Sequence, residues 1–461
     1  MITVRLPVRS GRAASLGGAL IGLALLLSTA TSGVAQSPVR AETLDVVHAA
    51  RLALDSHPLT VRAGADVTAA ETDVRIARAP LFPTIALSGS TVRFQEPMVV
   101  APLHAFDPTR PPSFDQTLVQ GAVQASYTLF DGGARRAATR QANAGVAGAR
   151  AARTAAEGDV IAAVIGAYVD VQAGRAGVRA AEAQLEALAA ERERAERFFR
   201  EGAAPRVQVL RAGAAWEEAR AADGAARARL SAAEHDLARL TGLDPDDMAN
   251  QMLADLAAPA RGEDFAREVA NIEGAPRLET ARQRVETARA AEGAARATRF
   301  PTVQGLFGFH QFGSGSGGFV GEWQAGVQLT YPVFAGGARV AGSDRARAVA
   351  SSAEASADAV ELELLRALDR AEAARTEAAG RRQALVAAVE QYEEVARIEA
   401  LSLAEGAGVQ RDLLSAEAQL FRTRSSLAQA QAALTRSTVE IARISGALDL
   451  TWINQNLESG P

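Results

Sequence analysis

The chain of 461 residues contains no cysteine, which excludes disulfides, thiol nucleophiles, Cys-ligated zinc, iron–sulfur clusters and a lipidated N-terminal cysteine. It contains no lysine either, so all 49 basic residues are arginine. A formal charge of −5, a pI near 5.8 and the absence of any basic run leave no concentrated positive face for phosphate, and a nucleic-acid partner is excluded. Aromatic residues make up only 5%. No apolar run reaches the roughly 20 residues of a membrane-spanning helix, so entry into a bilayer is open only to strands.

Alanine is abundant instead, with about 105 residues, and 48% of the chain is apolar. Small side chains with few aromatics favour close-packed helices over one bulky core. At the N-terminus Arg5, Arg9 and Arg12 precede an apolar stretch from Leu16 to Leu27 and the small residues Ser32-Gly33-Val34-Ala35. This is the layout of a signal peptide over residues 1–35. Its removal takes the formal charge to −8 and leaves an acidic, exported chain.

The mature chain is one unit written twice. Leu81-Phe82-Pro83-Thr84 recurs as Arg299-Phe300-Pro301-Thr302, 218 residues later. Tyr127 to Arg135, with Phe130-Asp131-Gly132-Gly133, recurs as Tyr331 to Arg339, with Phe334-Ala335-Gly336-Gly337, at an offset of 204. Glu201-Gly202-Ala203 pairs with Glu405-Gly406-Ala407, and Leu240-Thr241-Gly242 with Ile444-Ser445-Gly446, both at 204 again. A constant offset over that span predicts a rigid structure without insertions. The 14-residue difference falls in a loop carrying Pro97, Pro102, Pro108, Pro111 and Pro112, whose counterpart is the short Gly313 to Gly318 segment.

The first repeat is read over 36–242, with strands at 83–94 and 116–130 and helices at 134–200 and 206–241. A linker follows at 243–263. The second repeat covers 264–447, with strands at 301–312 and 319–334 and helices at 338–404 and 409–445, before a tail at 448–461. The helix at 134–200 has no proline and would run about 100 Å. Val160, Val164, Ala167, Val171, Gly174, Val178, Ala181, Leu185 and Leu188 form a coiled-coil seam along it. In the second copy Leu364, Leu368 and Ala371 keep that seam, and Arg375 and Arg382 break it.

The strands alternate strictly. Val119, Val123, Ala125, Tyr127 and Leu129 are apolar between Gln120, Gln124, Ser126 and Thr128, and Phe319, Trp323, Val327, Leu329, Tyr331 and Val333 repeat the pattern between Glu322, Gln324, Gln328 and Thr330. Such strands fit a transmembrane barrel with an apolar outer face and a wet lumen, girdled by Tyr127, Trp323 and Tyr331; a soluble sandwich is the alternative. Four strands cannot close around a pore, so a barrel requires several chains.

The Phe-Pro-Thr strand openings, the Phe-Asp-Gly-Gly and Phe-Ala-Gly-Gly junctions and the two Glu-Gly hairpin tips, duplicated in this order, resemble the TolC-type outer-membrane efflux proteins from about Leu44 to Ala447. The resemblance implies a mainly helical chain with a transmembrane β-barrel, two tandem repeats, and a homotrimer whose 12-stranded barrel continues as a periplasmic helical tunnel. It implies a passive outer-membrane exit duct that reaches an inner-membrane pump of RND, ABC or MFS type through a periplasmic adaptor, in efflux or type I secretion. The alternative from another class is a periplasmic coiled-coil scaffold.

By the same resemblance, Asp412 is the candidate for a three-fold carboxylate ring at the entrance, with Ser415 where some relatives carry a second aspartate and Gln208 at the equivalent place in the first tip. Gly202, Arg206, Val209, Leu210, Gly406, Leu413 and Leu414 are candidates for adaptor docking, and Gly132, Gly133, Gly336 and Gly337 mark the strand-to-helix junctions. No catalytic, cofactor or metal constellation emerges. His48, His57, His104, His235 and His310 are scattered, Gly313 to Gly318 lies between strands and not before a helix, and Asp244, Asp246 and Asp247 around Pro245 read as a turn.

Overall fold

Two helices of 67 residues, each about 100 Å long, dominate the fold. The computed structural model describes residues 43–104, 108, 109, 111–256, 272–405 and 407–457. The expected signal peptide, the end of the expected linker and Gly406 lie outside the described residues. In chain order come α1 (Val46–Ser56), α2 (Pro58–Arg78), β1 (Thr84–Val99), β2 (Phe114–Phe130), α3 (Ala134–Arg200), α4 (Arg206–Thr241) and α5 (Pro245–Asn250). Then follow α6 (Pro276–Ala297), β3 (Thr302–Ser314), β4 (Phe319–Thr330), α7 (Ala338–Ala404), α8 (Gln410–Ser445) and α9 (Leu450–Asn456).

The long helices persist because alanine, arginine, glutamate and leucine all favour helix and proline is absent from both. Packing on α3 decides the rest of the arrangement: it contacts α2, α4, α6 and α8, while α7 contacts α6 and α8. Val160, Val164, Ala167, Val171 and Val178 of the seam are buried, and an added Cβ at Gly174 would stand 3.2 Å from Leu230. A glycine there lets α3 and α4 approach closely. In α7, Leu364, Leu368 and Ala371 are buried, and below them Arg375 and Arg382 are half-buried.

The core gathers around the middle of α3, where Ile161, Ile165 and Tyr168 meet α1, Leu237, Met248, Leu278, Ile441 and Ile453. Tyr168 is fully buried, and its hydroxyl bonds the carbonyls of Leu44 (2.8 Å) and Ala254 (2.7 Å). That bond ties the segment before α1, which pairs with the segment after α5 through a Leu44–Leu253 bridge, to the centre of α3. Burial, and after it the Asp45 charge, push the Tyr168 phenol well above its ordinary value, so it remains a neutral donor.

The four strands form one antiparallel sheet in the order β1-β2-β3-β4. Several expected boundaries move. β1 continues to Val99, past the expected end at 94, because the register shifts between Arg93 and Met98 and this irregularity accommodates Pro97 on an edge strand. β2 starts two residues early, at Phe114, and β3 runs on to Ser314. β4 stops at Thr330 and not 334, because Pro332 has no N–H to continue a ladder.

The described parts of the expected linker and tail, residues 243–256 and 448–457, are packed structure. Asp244 caps α5 by accepting from Asp246 N (2.9 Å), and Met248 is fully buried. Asp449 caps α9 by accepting from Trp452 N (2.6 Å), and Trp452, Ile453 and Leu457 are buried. Each repeat therefore ends in the same way: a left-handed glycine, Gly242 or Gly446, closes the return helix, and a short capped helix folds back onto the core.

Candidate functional site

At each junction from sheet to long helix two glycines adopt left-handed conformations: Gly132 at φ 66° and Gly133 at 92°, Gly336 at 57° and Gly337 at 79°. This backbone region turns the chain from strand to helix within two residues and favours glycine. A Cβ on Gly132 would also stand 2.7 Å from the Ala297 carbonyl oxygen and 2.9 Å from Phe300 Cβ, whereas Gly336 faces open space. The first junction is reinforced further. Asp131 Oδ1 accepts from Gly133 N (3.0 Å), and its Oδ2 accepts from both the backbone N (3.0 Å) and Nε (2.8 Å) of Arg135. Burial alone would raise the Asp131 carboxyl, but the hydrogen bonds from Arg135 and Gly133 outweigh it and hold the group below the usual carboxylate range.

Register places the strand side chains in rows. Leu87, Val123, Phe309 and Trp323 pair across one face, while Ser88, Ala122, His310 and Glu322, then Ala86, Gln124, Gly308 and Gln324, pair across the other. The apolar face is open: Leu87 is 83% exposed, Trp323 69% and Val327 70%, and among the described residues no helix packs against the sheet beyond the short turn before β1. A soluble sandwich would cover these residues. Of the three girdle candidates, Tyr127 and Tyr331 stand at the helical end of the sheet, with Arg135 5.8 Å and Arg339 5.2 Å over their rings, and Trp323 lies toward the opposite end. On the polar face His104, from the proline-rich connection, reaches Glu322 at 2.7 Å, a contact that the sequence pattern did not single out.

The other end of the molecule is built from two helical turns. Gly202, at φ 74°, turns the chain after α3, and Pro205 precedes α4 as its N-terminal cap residue. Here Arg206, Gln208 and Leu210 are exposed and Val209 is half-buried. In the second turn Asp412 sits in the first turn of α8, where the helix dipole favours a carboxylate, and Arg411 Nε lies 3.2 Å from it. Ser415 is exposed, Leu413 half-buried and Leu414 buried. Leu414 thus belongs to the helix packing, and its counterpart Leu210 projects from the surface. Above the tips Glu417 of α8 faces Glu186 of α3; burial first, and then the Glu186 charge, push the Glu417 carboxyl up.

Three comparisons bear on this arrangement. The family described as outer membrane efflux protein matches residues 49–243 and 270–447. Protein CyaE of Bordetella pertussis is 31% identical over 335 residues, which is 70% of this chain and 67% of that protein. Among solved structures, the outer membrane protein VceC from Vibrio cholerae aligns with a TM-score of 0.71 at 21% identity, over 87% of this chain and 95% of VceC. The CmeC outer membrane channel of Campylobacter jejuni aligns with a TM-score of 0.74 at 16% identity, over 89% of this chain and 88% of CmeC.

Proposed function

The chain belongs to the outer membrane efflux protein family, and from that premise we propose that three copies close a 12-stranded barrel in the outer membrane and a helical tunnel into the periplasm. It is an outer-membrane exit channel, not an enzyme. Channels of this family work with periplasmic adaptors and inner-membrane pumps, which supply the energy. The carrying observation is the sheet: four strands, one face apolar and one polar, neither covered among the described residues, joined through paired glycines to helices about 100 Å long. Among the described residues the outer edges of β1 and β4 have no strand beside them, and symmetry-related copies would satisfy them.

In the assembled tube the apolar rows with Trp323 face lipid, and the rows with Gln124, His310 and Glu322 face water. Asp412 is the entrance carboxylate. Three copies converging on an axis attract cations and repel one another, which suits a constriction that opens easily, with Ser415 and Gln208 as its uncharged neighbours. Gly202, Arg206, Val209, Leu210 and Leu413 form the surface offered to the adaptor; Gly406, a candidate by the same resemblance, lies outside the described residues. An RND, ABC or MFS pump fits this duct equally.

Fractionation with chemical cross-linking tests the reading. The mature protein should sediment with outer membranes, require detergent for extraction and cross-link to a three-chain species. Recovery as a soluble chain without detergent would instead fit the periplasmic scaffold.

A further inference from the structure

The two helical tips share a backbone and differ in surface. Residues 191–211 carry six arginines against four glutamates, a charge of +2, whereas the equivalent residues 395–415 carry two arginines against three acids, a charge of −1. Arg197, Arg200, Arg206 and Arg211 all belong to the first tip alone; 204 residues on stand Leu401, Ala404, Gln410 and Ser415. None of the four arginines has an ion-pair partner among the described residues, although nearby Arg192 pairs with Glu196. Helix stability accounts for Arg197 and Arg200, which sit in the last turn of α3, where a cation suits the dipole. It does not account for Arg206, the first residue of α4, where the dipole disfavours a cation and no acidic residue compensates.

Apolar surface is interleaved with these charges. Phe198 is 41% exposed, Phe199 45% and Leu210 61%, and the Arg194 guanidinium lies 5.4 Å over the Phe198 ring. The second tip has Ser402 and Leu403 in place of the phenylalanines and buries Leu414 in place of Leu210. Exposed aromatics in the same tip as Arg197, Arg200, Arg206 and Arg211 have the composition of a protein-binding surface. Their charge selects the partner.

We propose that the first tip is the specificity-setting half of the docking surface and takes an acidic segment: a helical hairpin of the periplasmic adaptor whose tip carries carboxylates beside apolar residues. The proposal rests on the exit-duct reading and goes beyond it in assigning unequal roles to the two tips. Carboxylates of the partner meet Arg197, Arg200, Arg206 and Arg211, and its apolar residues cover Phe198, Phe199 and Leu210. The second tip, acidic at Asp412, repels the same segment, so each chain offers one preferred site.

The test uses the full-length detergent-solubilised oligomer and two labelled synthetic helical hairpins that differ only in carrying glutamates or lysines at the tip, with fluorescence anisotropy as the readout. The glutamate hairpin should bind at least about tenfold more tightly at low salt, an advantage that falls as salt screens the charges. Replacing all four arginines by glutamine should remove it. Because glutamine is a good helix former, the oligomer should survive; if it does not, Arg206→Gln with Arg211→Gln should still weaken glutamate-hairpin binding severalfold. Equal binding of the two hairpins, binding of neither, or unchanged glutamate binding by the variant overturns the proposal. So does a variant whose conductance rises while its hairpin binding is unchanged, because the arginines would then be paired with a neighbouring chain's acidic tip. Conductance of the same preparation, read separately, reports on the duct itself.

Discussion

Asp131 and Arg135 form a closed clasp at the start of the first long helix, one carboxylate oxygen accepting from both the backbone N–H and the Nε of the arginine. The second repeat has Ala335 and Arg339 at these places and no such clasp. Two junctions of the same backbone are therefore held unequally, and the difference can be measured.

The clasp lowers the Asp131 pKa in the folded chain, so it stabilises above the unfolded carboxylate value near 3.9 and is lost as pH falls through the lowered folded value. Asp131→Ala should cost about 1 kcal/mol per chain at pH 7, the usual cost of losing a helix cap. Thermal unfolding of the detergent-solubilised protein should show the deficit at neutral pH and a smaller one near pH 3. A deficit that does not shrink in acid would mean the carboxylate charge is not the stabilising element.

Gly132 and Gly336 separate conformational strain from steric overlap. Both have positive φ, but only Gly132 lacks room for a Cβ. Gly336→Ala should cost about 1 kcal/mol from the left-handed conformation, and Gly132→Ala several times that, because Ala297 and Phe300 must also move. The yield of heat-resistant oligomer should fall strongly for the first junction and slightly for the second.

Phe309 and His310 are adjacent in β3 and point to opposite faces. With the apolar face in lipid, Phe309→Arg should cost about 2–4 kcal/mol per chain and sharply reduce membrane insertion, whereas His310→Arg should insert normally. Equal outcomes in an outer-membrane insertion assay would contradict the assignment of faces.

Tyr168 closes the core by bonding the carbonyls of Leu44 and Ala254. Tyr168→Phe keeps the ring and removes the donor, which should cost about 1–3 kcal/mol, read as a lowered denaturation midpoint.

Much of this architecture is legible in the residues, and the exceptions have physical reasons. The alternation from Val119 to Leu129 identifies a two-faced strand, because a period of two admits no other regular structure. The paired glycines mark where strand gives way to helix, because they must turn left-handed. Pro97 hides the end of β1, since an edge irregularity tolerates a residue that usually ends a strand. The helix at Leu450–Asn456 is too short for a periodic signal; its Asp449 cap and three buried side chains become evident only when it lies against the core. Leu210 and Leu414 occupy equivalent places in the repeat, and only packing distinguishes the exposed one from the buried one. The Asp131–Arg135 clasp did leave a signal, an aspartate before Gly-Gly with an arginine four residues on, which a search for helix caps would find.

Single-channel conductance in planar bilayers tests the central claim most directly, comparing the mature protein with Asp412→Ala at several salt concentrations. A passive duct narrowed by three converging carboxylates should give small, stable steps that grow in the variant, with the difference largest at high salt, where screening removes the carboxylates' own attraction for cations and only the wider bore counts. Equal steps would keep the duct and remove Asp412 as its constriction. The absence of channels from either protein would contradict the account.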